Sequence, residues 1–149
     1  MQYTEPGYNL TKSFESLRLK AYQDQGGVWA CGYGHTRGVK STTTCSVEQA
    51  NVWLEEDVQG SVSAINSLVK VPLEQFQFNA LVDFVFNIGC GSKEKGTGFA
   101  GSTCLRMLNN EKYDAAADSM LLFNKVKGVV APGLTRRREA ERAMFLGLV

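Results

Sequence analysis

The apolar period of this chain changes between residues 10 and 33, and that change constrains the fold more than any other stretch. Leu10, Phe14 and Leu17 recur at helical spacing. From Arg18 to Tyr33 the pattern turns to alternation through Leu19, Ala21, Val28, Cys31 and Tyr33, interrupted by Gly26-Gly27. A period of about 3.6 buries one stripe of a helix and a period of two buries one face of a strand, so a helix must hand over to a small antiparallel hairpin here. Asn9 is the expected cap of that helix.

A Gly-, Ser- and Thr-rich loop, Thr36 to Thr44, leads to Ser46-Val-Glu-Gln49, the pattern of a capping box. Val47, Ala50, Leu54, Val58, Ile65 and Leu68 then form an apolar stripe that ends before Pro72. It predicts one long helix over about residues 46–69, joining two lobes. A second apolar helix is expected over 74–89, halted by Gly89-Cys90-Gly91. Ser102 starts a short helix, residues 115–123 form another, Lys125 to Gly133 reads as loop, and Thr135 caps a last helix. The expected class is α+β in a single domain over 1–149, with a β lobe at about 15–45 and a helical lobe at about 70–149 plus 1–14.

The chain has 16 basic and 15 acidic residues, and a net charge of +1 carries no global field for nucleic acid. The C-terminal part is locally basic, with Lys125, Lys127, Arg136, Arg137, Arg138 and Arg142 against Glu139 and Glu141. Such a patch is either a solvated helix face or a surface for an anionic wall or membrane. No apolar run approaches the roughly 18 residues of a membrane span, and no leader is visible, which places the chain in the cytosol unless a leader has been trimmed. His35 is the single histidine, and the four cysteines have no C-x-x-C spacing, so no metal or organic cofactor is expected. Cys31 and Cys45 bracket one loop, and Cys90 and Cys104 another; free thiols are expected, although an oxidising compartment could close either loop.

Glu15 and Asp24 lie nine positions apart, Glu15 where the helix gives way to the hairpin and Asp24 in the turn Gln23-Asp-Gln-Gly-Gly27. Cleaving an acetal needs a carboxylic acid to protonate the leaving oxygen and a second group to activate water or stabilise charge. One partly desolvated and one solvated carboxyl would supply both. The spacing alone is equally that of a helix-end glutamate and a turn-forming aspartate.

The surrounding residues resemble the phage-type lysozymes of glycoside hydrolase family 24. Glu15, Asp24, Gly32, Gly34 and His35 fall at that family's positions, and Asn79-Ala-Leu-Val-Asp-Phe-Val-Phe-Asn-Ile-Gly89 is similar to its central helix. Gly98-Phe99 with Ser102-Thr103 and the closing run Pro132 to Phe145 continue the likeness almost end to end. The resemblance implies a lysozyme-like fold, a small antiparallel β lobe and a larger helical lobe joined by a long helix with a cleft between. It implies an endolysin that hydrolyses, with inversion, the β-1,4 bond between N-acetylmuramic acid and N-acetylglucosamine in peptidoglycan.

By the same resemblance Glu15 is the general acid and Asp24 the second carboxylate, with their carboxyl groups roughly 6.5–9.5 Å apart to admit a water. The third catalytic position, a Thr in the family, is Ala30 here, and Ser16 stands where the family has Gly. A methyl cannot hold water, so activity is expected to be reduced. The resemblance further implies a His35–Asp57 ion pair, an Arg137 that approaches the catalytic Glu, and a cleft-facing Phe86 and Asn87. Core packing is the commoner role for the other aromatics, Trp29, Tyr33 and Phe99. Implied partners are bacterial peptidoglycan and a holin-type protein for release, with no nucleic acid. The chain would be a monomer held in the host cytoplasm until release and acting on the wall in the periplasm. Alternatives are a catalytically weak peptidoglycan-binding protein on the same fold and a lytic transglycosylase, which needs one acid and no water.

Overall fold

The computed structural model describes Met1–Val149 as α1 (Glu5–Phe14), β1 (Arg18–Gln23), β2 (Trp29–Gly32), α2 (Val47–Asp57), α3 (Gln59–Leu68), α4 (Gln75–Ile88), α5 (Thr103–Asn109), α6 (Tyr113–Met120), β3 (Lys125–Val126), β4 (Val129–Val130) and α7 (Pro132–Phe145). The class is α+β. The chain divides into two compact units, Asn9–Gln59 and Met1–Tyr8 with Gly60–Val149.

In the unit 9–59, β1 and β2 pair antiparallel with Tyr22 opposite Ala30 and Gln23 opposite Trp29, and the register slips between Arg18 and Tyr22. The far side of β1 is covered as well. Ala21 N–H donates to Thr43 O and Cys45 N–H to Leu19 O, both at 2.9 Å. The edge of a two-stranded hairpin is thereby paired by a third, short segment, without which such a hairpin is marginal in water. Ser46 then caps α2 by accepting from Gln49 N–H at 3.1 Å. β2 packs on α2 through buried Ala30, Cys31, Ala50 and Leu54. Gly32 permits that approach: a Cβ there would lie 3.2 Å from Ala50 Cβ and 3.3 Å from Trp53, and its φ is +72°.

In the other unit α4 is buried from Phe78 through Val85, so it is apolar nearly all round and acts as the core element. α7 packs along it, and α5 packs on α6. Phe84 meets Phe99 and Phe123 edge-on, with centroids 6.4 and 5.2 Å away. Phe99 is fully buried, in keeping with the core role expected of it.

Four elements differ from the sequence expectation. The long stripe runs as two helices, α2 and α3, which meet at Val58. The Val58 N–H is shared between Leu54 O and Glu56 O, and Gly60-Ser61, weak helix formers, follow at once. α1 starts at Glu5 rather than after Asn9, and it ends at Phe14, leaving Leu17 exposed. Residues 125–130, read as loop, form the hairpin β3–β4, because Lys127 and Gly128 both take positive φ, 49° and 81°, as a tight two-residue hairpin turn requires. α7 begins at Pro132 rather than at a Thr135 cap, since proline's fixed φ suits the first helical position, where its missing N–H leaves no bond unmade.

Candidate active site

Glu15 leaves the last turn of α1, its N–H still donating to Thr11 O at 2.9 Å. It is half-buried. Its Oε2 lies 3.4 Å from the point where a Cβ on Gly34 would sit, and Gly34 has a φ of +81°. A side chain at 34 would therefore be strained and would crowd the carboxyl. Gly34 belongs to a tight bend closed by Cys31 and His35, which exchange both backbone hydrogen bonds at 2.9 Å.

Asp24 is exposed at the hairpin turn, and its geometry is fixed by backbone donors. Oδ1 accepts from Gly26 N–H at 2.8 Å and from Val28 N–H at 2.9 Å. This Asx-type turn orients the carboxylate and leaves Oδ2 outside it. Ala30, on β2, is 2% exposed and offers no polar atom.

One residue that the sequence reading did not single out stands among these. Tyr22 is opposite Ala30 in the strand register, so its phenol leaves the same face of the hairpin. Burial raises the Tyr22 pKa, the Glu15 charge adds to the rise, Arg18 opposes it, and Asp24 adds again. Both carboxylates thus act on one phenol. The Arg18 guanidinium lies 4.9 Å from the ring centroid. The alternation along β1 carried the signal: Tyr22 is the second residue before Asp24, on a strand whose partner was already inferred.

His35 is buried, and its Nδ1 is 2.8 Å from Asp57 Oδ2. Its ring stacks on Trp53 at 4.4 Å between centroids. These contacts tie the bend after β2 to α2, which is the arrangement expected of a structural histidine. The Lys12 ammonium sits 5.6 Å from the Tyr33 ring centroid, so that ring takes part in a cation contact within its own unit.

In the other unit Phe86 is half-buried and Asn87 exposed on α4. Asn87 Oδ1 accepts from Arg138 Nη2 at 2.8 Å, so its carbonyl oxygen is already engaged. Arg137, expected beside the catalytic Glu, directs Nε and Nη2 onto Asp83, at 3.0 and 2.8 Å. Arg138 meets Glu141 through Nε–Oε2 at 2.7 Å and Nη2–Oε1 at 2.8 Å. Asp83, Glu141, Arg137 and Arg138 are all buried, two acidic and two basic side chains in one cluster. Burial, followed by the hydrogen bond and charge of Asp83, pushes the Glu141 pKa up, while Arg138 and Arg137 pull it back. Sequence reading saw the arginines and missed the cluster, because Asp83 lies 54 positions from Arg137.

No group of three or more His, Cys, Asp or Glu could hold a metal ion, and no helix is long and apolar enough to cross a membrane. The candidate set in the unit 9–59 is Glu15, Asp24 and Tyr22, with Tyr22 opposite Ala30 on the hairpin.

Residues 12–141 match the model of the family described as phage lysozyme. The endolysin of Salmonella phage P22 is 44% identical over 151 residues, covering 98% of this chain and 99% of that protein. The endolysin of Acyrthosiphon pisum secondary endosymbiont phage 1 is 40% identical over 149 residues, covering 97% and 98%. Among solved structures, the muramidase domain of SpmX from Asticaccaulis excentricus superposes with a TM-score of 0.88 at 38% identity, covering 97% of each chain.

Proposed function

This chain belongs to the phage lysozyme family, and on that premise we infer that it is an endolysin, a lysozyme that hydrolyses peptidoglycan. The bond cut is the β-1,4 link between N-acetylmuramic acid and N-acetylglucosamine. The observation that carries the site is the contrast between the two carboxyls: Glu15 half-buried against Gly34, and Asp24 exposed with Oδ1 pinned by two backbone N–H groups.

In this reading Glu15 donates a proton to the glycosidic oxygen as the bond breaks. Asp24 Oδ2 accepts from a water on the opposite face of the sugar and takes its proton as that water attacks the anomeric carbon, inverting the centre. Fixing Oδ1 reduces the freedom the carboxylate must lose in the transition state. Ala30 contributes no hydrogen bond to that water, so the chain works more slowly than one with a hydroxyl there, by on the order of 10²-fold. His35 and Asp57 hold the bend that carries Gly34. In the helical unit, Phe86 and Asn87 are the residues offered to a glycan, Asn87 through the amide that its bond to Arg138 leaves available. The protein acts as a monomer on the wall in the periplasm, after a holin-type protein releases it from the host cytoplasm.

The test is clearing of outer-membrane-permeabilised Gram-negative cells, with analysis of the released muropeptides, for this chain beside Glu15→Gln. The expected result is release of fragments with new reducing ends by this chain and a loss of at least about 10²-fold in the variant. Anhydro ends in place of reducing ends would overturn hydrolysis in favour of transglycosylation. Equal clearing by Glu15→Gln would remove Glu15 from the role of acid.

A further inference from the structure

All four cysteines are free thiols, yet two of them are neighbours in space. Cys31 Sγ and Cys45 Sγ stand 3.4 Å apart, and both point at the same backbone oxygen, Arg18 O, from 3.6 and 3.8 Å. Cys31 lies on β2 and Cys45 on the segment that pairs with β1 through Leu19 O. The two side chains thus meet across β1, from strands on either side of it. Backbone hydrogen bonds from Cys31 and Cys45 hold both strands in register beside β1 and so keep the sulfurs close. Cys90 and Cys104 share no such contact: Cys90 Sγ faces Gly60 O, and Cys104 is fully buried.

We propose that Cys31 and Cys45 are a cross-linking pair that closes to a disulfide when the folded chain meets a small-molecule or protein disulfide oxidant. The exchange begins at Cys45, which is half-buried, whereas Cys31 has no exposed surface. The Cys45 thiolate attacks one sulfur of the oxidant, a mixed disulfide forms, and the first thiol of the oxidant leaves. Cys31 then loses its proton and attacks Cys45 Sγ, expelling the second thiol. The protein gives up two protons and two electrons, and one oxidant disulfide becomes two thiols.

The consequence follows from what the ring encloses. The closed loop contains Gly34, against which Glu15 rests, and His35, which holds Asp57. A bond from β2 to the residue before the Ser46 cap would tie together hairpin, bend and α2, so the geometry behind Glu15 would be covalently constrained. Burial, and then the hydrogen bond to Cys31, push the Cys45 thiol up to about 11, so the reduced pair exchanges slowly near neutral pH and persists where thiols dominate.

The full chain is incubated with excess oxidised glutathione, then analysed by intact mass after alkylation, by peptide mapping and by thermal melting. Expected are a loss of about 2 Da with two thiols still alkylated, a single cross-linked peptide pair containing Cys31 and Cys45, and a melting temperature about 6–12 °C above the reduced chain. Cys45→Ser abolishes cross-link and shift, whereas Cys90→Ser retains both. Cys31→Ser fills a buried site and can fail to fold; the mapping on the unmodified chain needs no variant. Four alkylated thiols after exposure to oxidant, a cross-link mapped to Cys90 or Cys104, or a stable glutathione adduct on Cys45 that never resolves would each overturn the pairing.

Discussion

Tyr22 and Ala30 are cross-strand partners in the β1–β2 hairpin, so a phenol and a methyl leave the same face beside Asp24. The methyl stands where the resemblance to the family implies a threonine hydroxyl, and its strand partner on that face bears a phenol oxygen. Two substitutions separate their contributions. Ala30→Thr should raise the turnover for wall hydrolysis by about 10–100-fold, provided the larger side chain costs no more than about 1–3 kcal/mol at this buried site. Tyr22→Phe should lower turnover in the original chain by about tenfold and far less in the Ala30→Thr background, because one hydroxyl then covers for the other. Equal effects of Tyr22→Phe in both backgrounds would show that the phenol and the residue at 30 act independently.

The buried charges of the helical unit make a stability prediction. Arg138 holds Glu141 at 2.7 and 2.8 Å, donates to Asn87 and lies 5.2 Å from the Phe84 ring centroid. Arg138→Met keeps much of the side-chain volume but leaves Glu141 without its closest cation. The expected loss is about 3–5 kcal/mol, or a fall in melting temperature of roughly 6–20 °C. Arg138→Met with Glu141→Leu should recover a large part of it. A single variant within about 0.5 kcal/mol of the original in urea titration would show that the pair contributes nothing to stability.

The contact between His35 and Asp57 predicts a smaller effect. The imidazole is stacked on Trp53 and bonded at 2.8 Å to a carboxylate that is itself mostly buried. Asp57→Ala should destabilise by about 1.5–3 kcal/mol. It should lower activity only through the fraction folded, so specific activity corrected for folded protein stays within about threefold. A loss of 10²-fold at full folding would move this pair from support into the chemistry.

Alkaline pH should weaken the fold through Cys104. Burial pushes its thiol up to about 12, with the hydrogen-bond contact to Ser119 acting in the opposite direction. An unfolded thiol ionises at about 8.5, so above that pH the unfolded chain releases a proton that the folded chain keeps. The stabilisation is complete below the unfolded value and is lost as pH rises towards the folded one, at about 1.4 kcal/mol per pH unit for this one group. Urea unfolding under reducing conditions from pH 8 to 10 should give a flatter pH dependence for Cys104→Ala by that amount. Parallel curves for the two chains would contradict it.

Much of the local structure around the candidate site was legible in the sequence. Glu15, Asp24 and Gly34 lie within 20 residues, on a helix end, a turn and a bend whose conformations follow from local rules. Asp24 shows why: its Oδ1 is bonded by N–H groups two and four positions along, so the residues that orient it are its own neighbours. The misreadings were also local, at points where two rules competed. Asn9 offered a cap, but the helix had already begun at Glu5. Thr135 offered another, but Pro132 was a better first helical residue. An apolar stripe suggested one continuous helix, while the backbone at Val58 and the weak formers after it divided the run in two.

Sequence alone determined the class of the chain, the order of its main elements and the local settings of Glu15 and Asp24, because periodicity, turn chemistry and short hydrogen-bonded loops depend on residues a few positions apart. Tertiary structure alone decided which distant side chains share an environment. It set Asp83 against Arg137 across 54 positions, placed two thiols 3.4 Å apart across β1, and put Tyr22 under the influence of both Glu15 and Asp24. Such relationships depend on packing density and burial, which sum over every element in contact. A one-dimensional pattern records that a residue is charged or apolar, and only the folded chain determines what it is charged or apolar against.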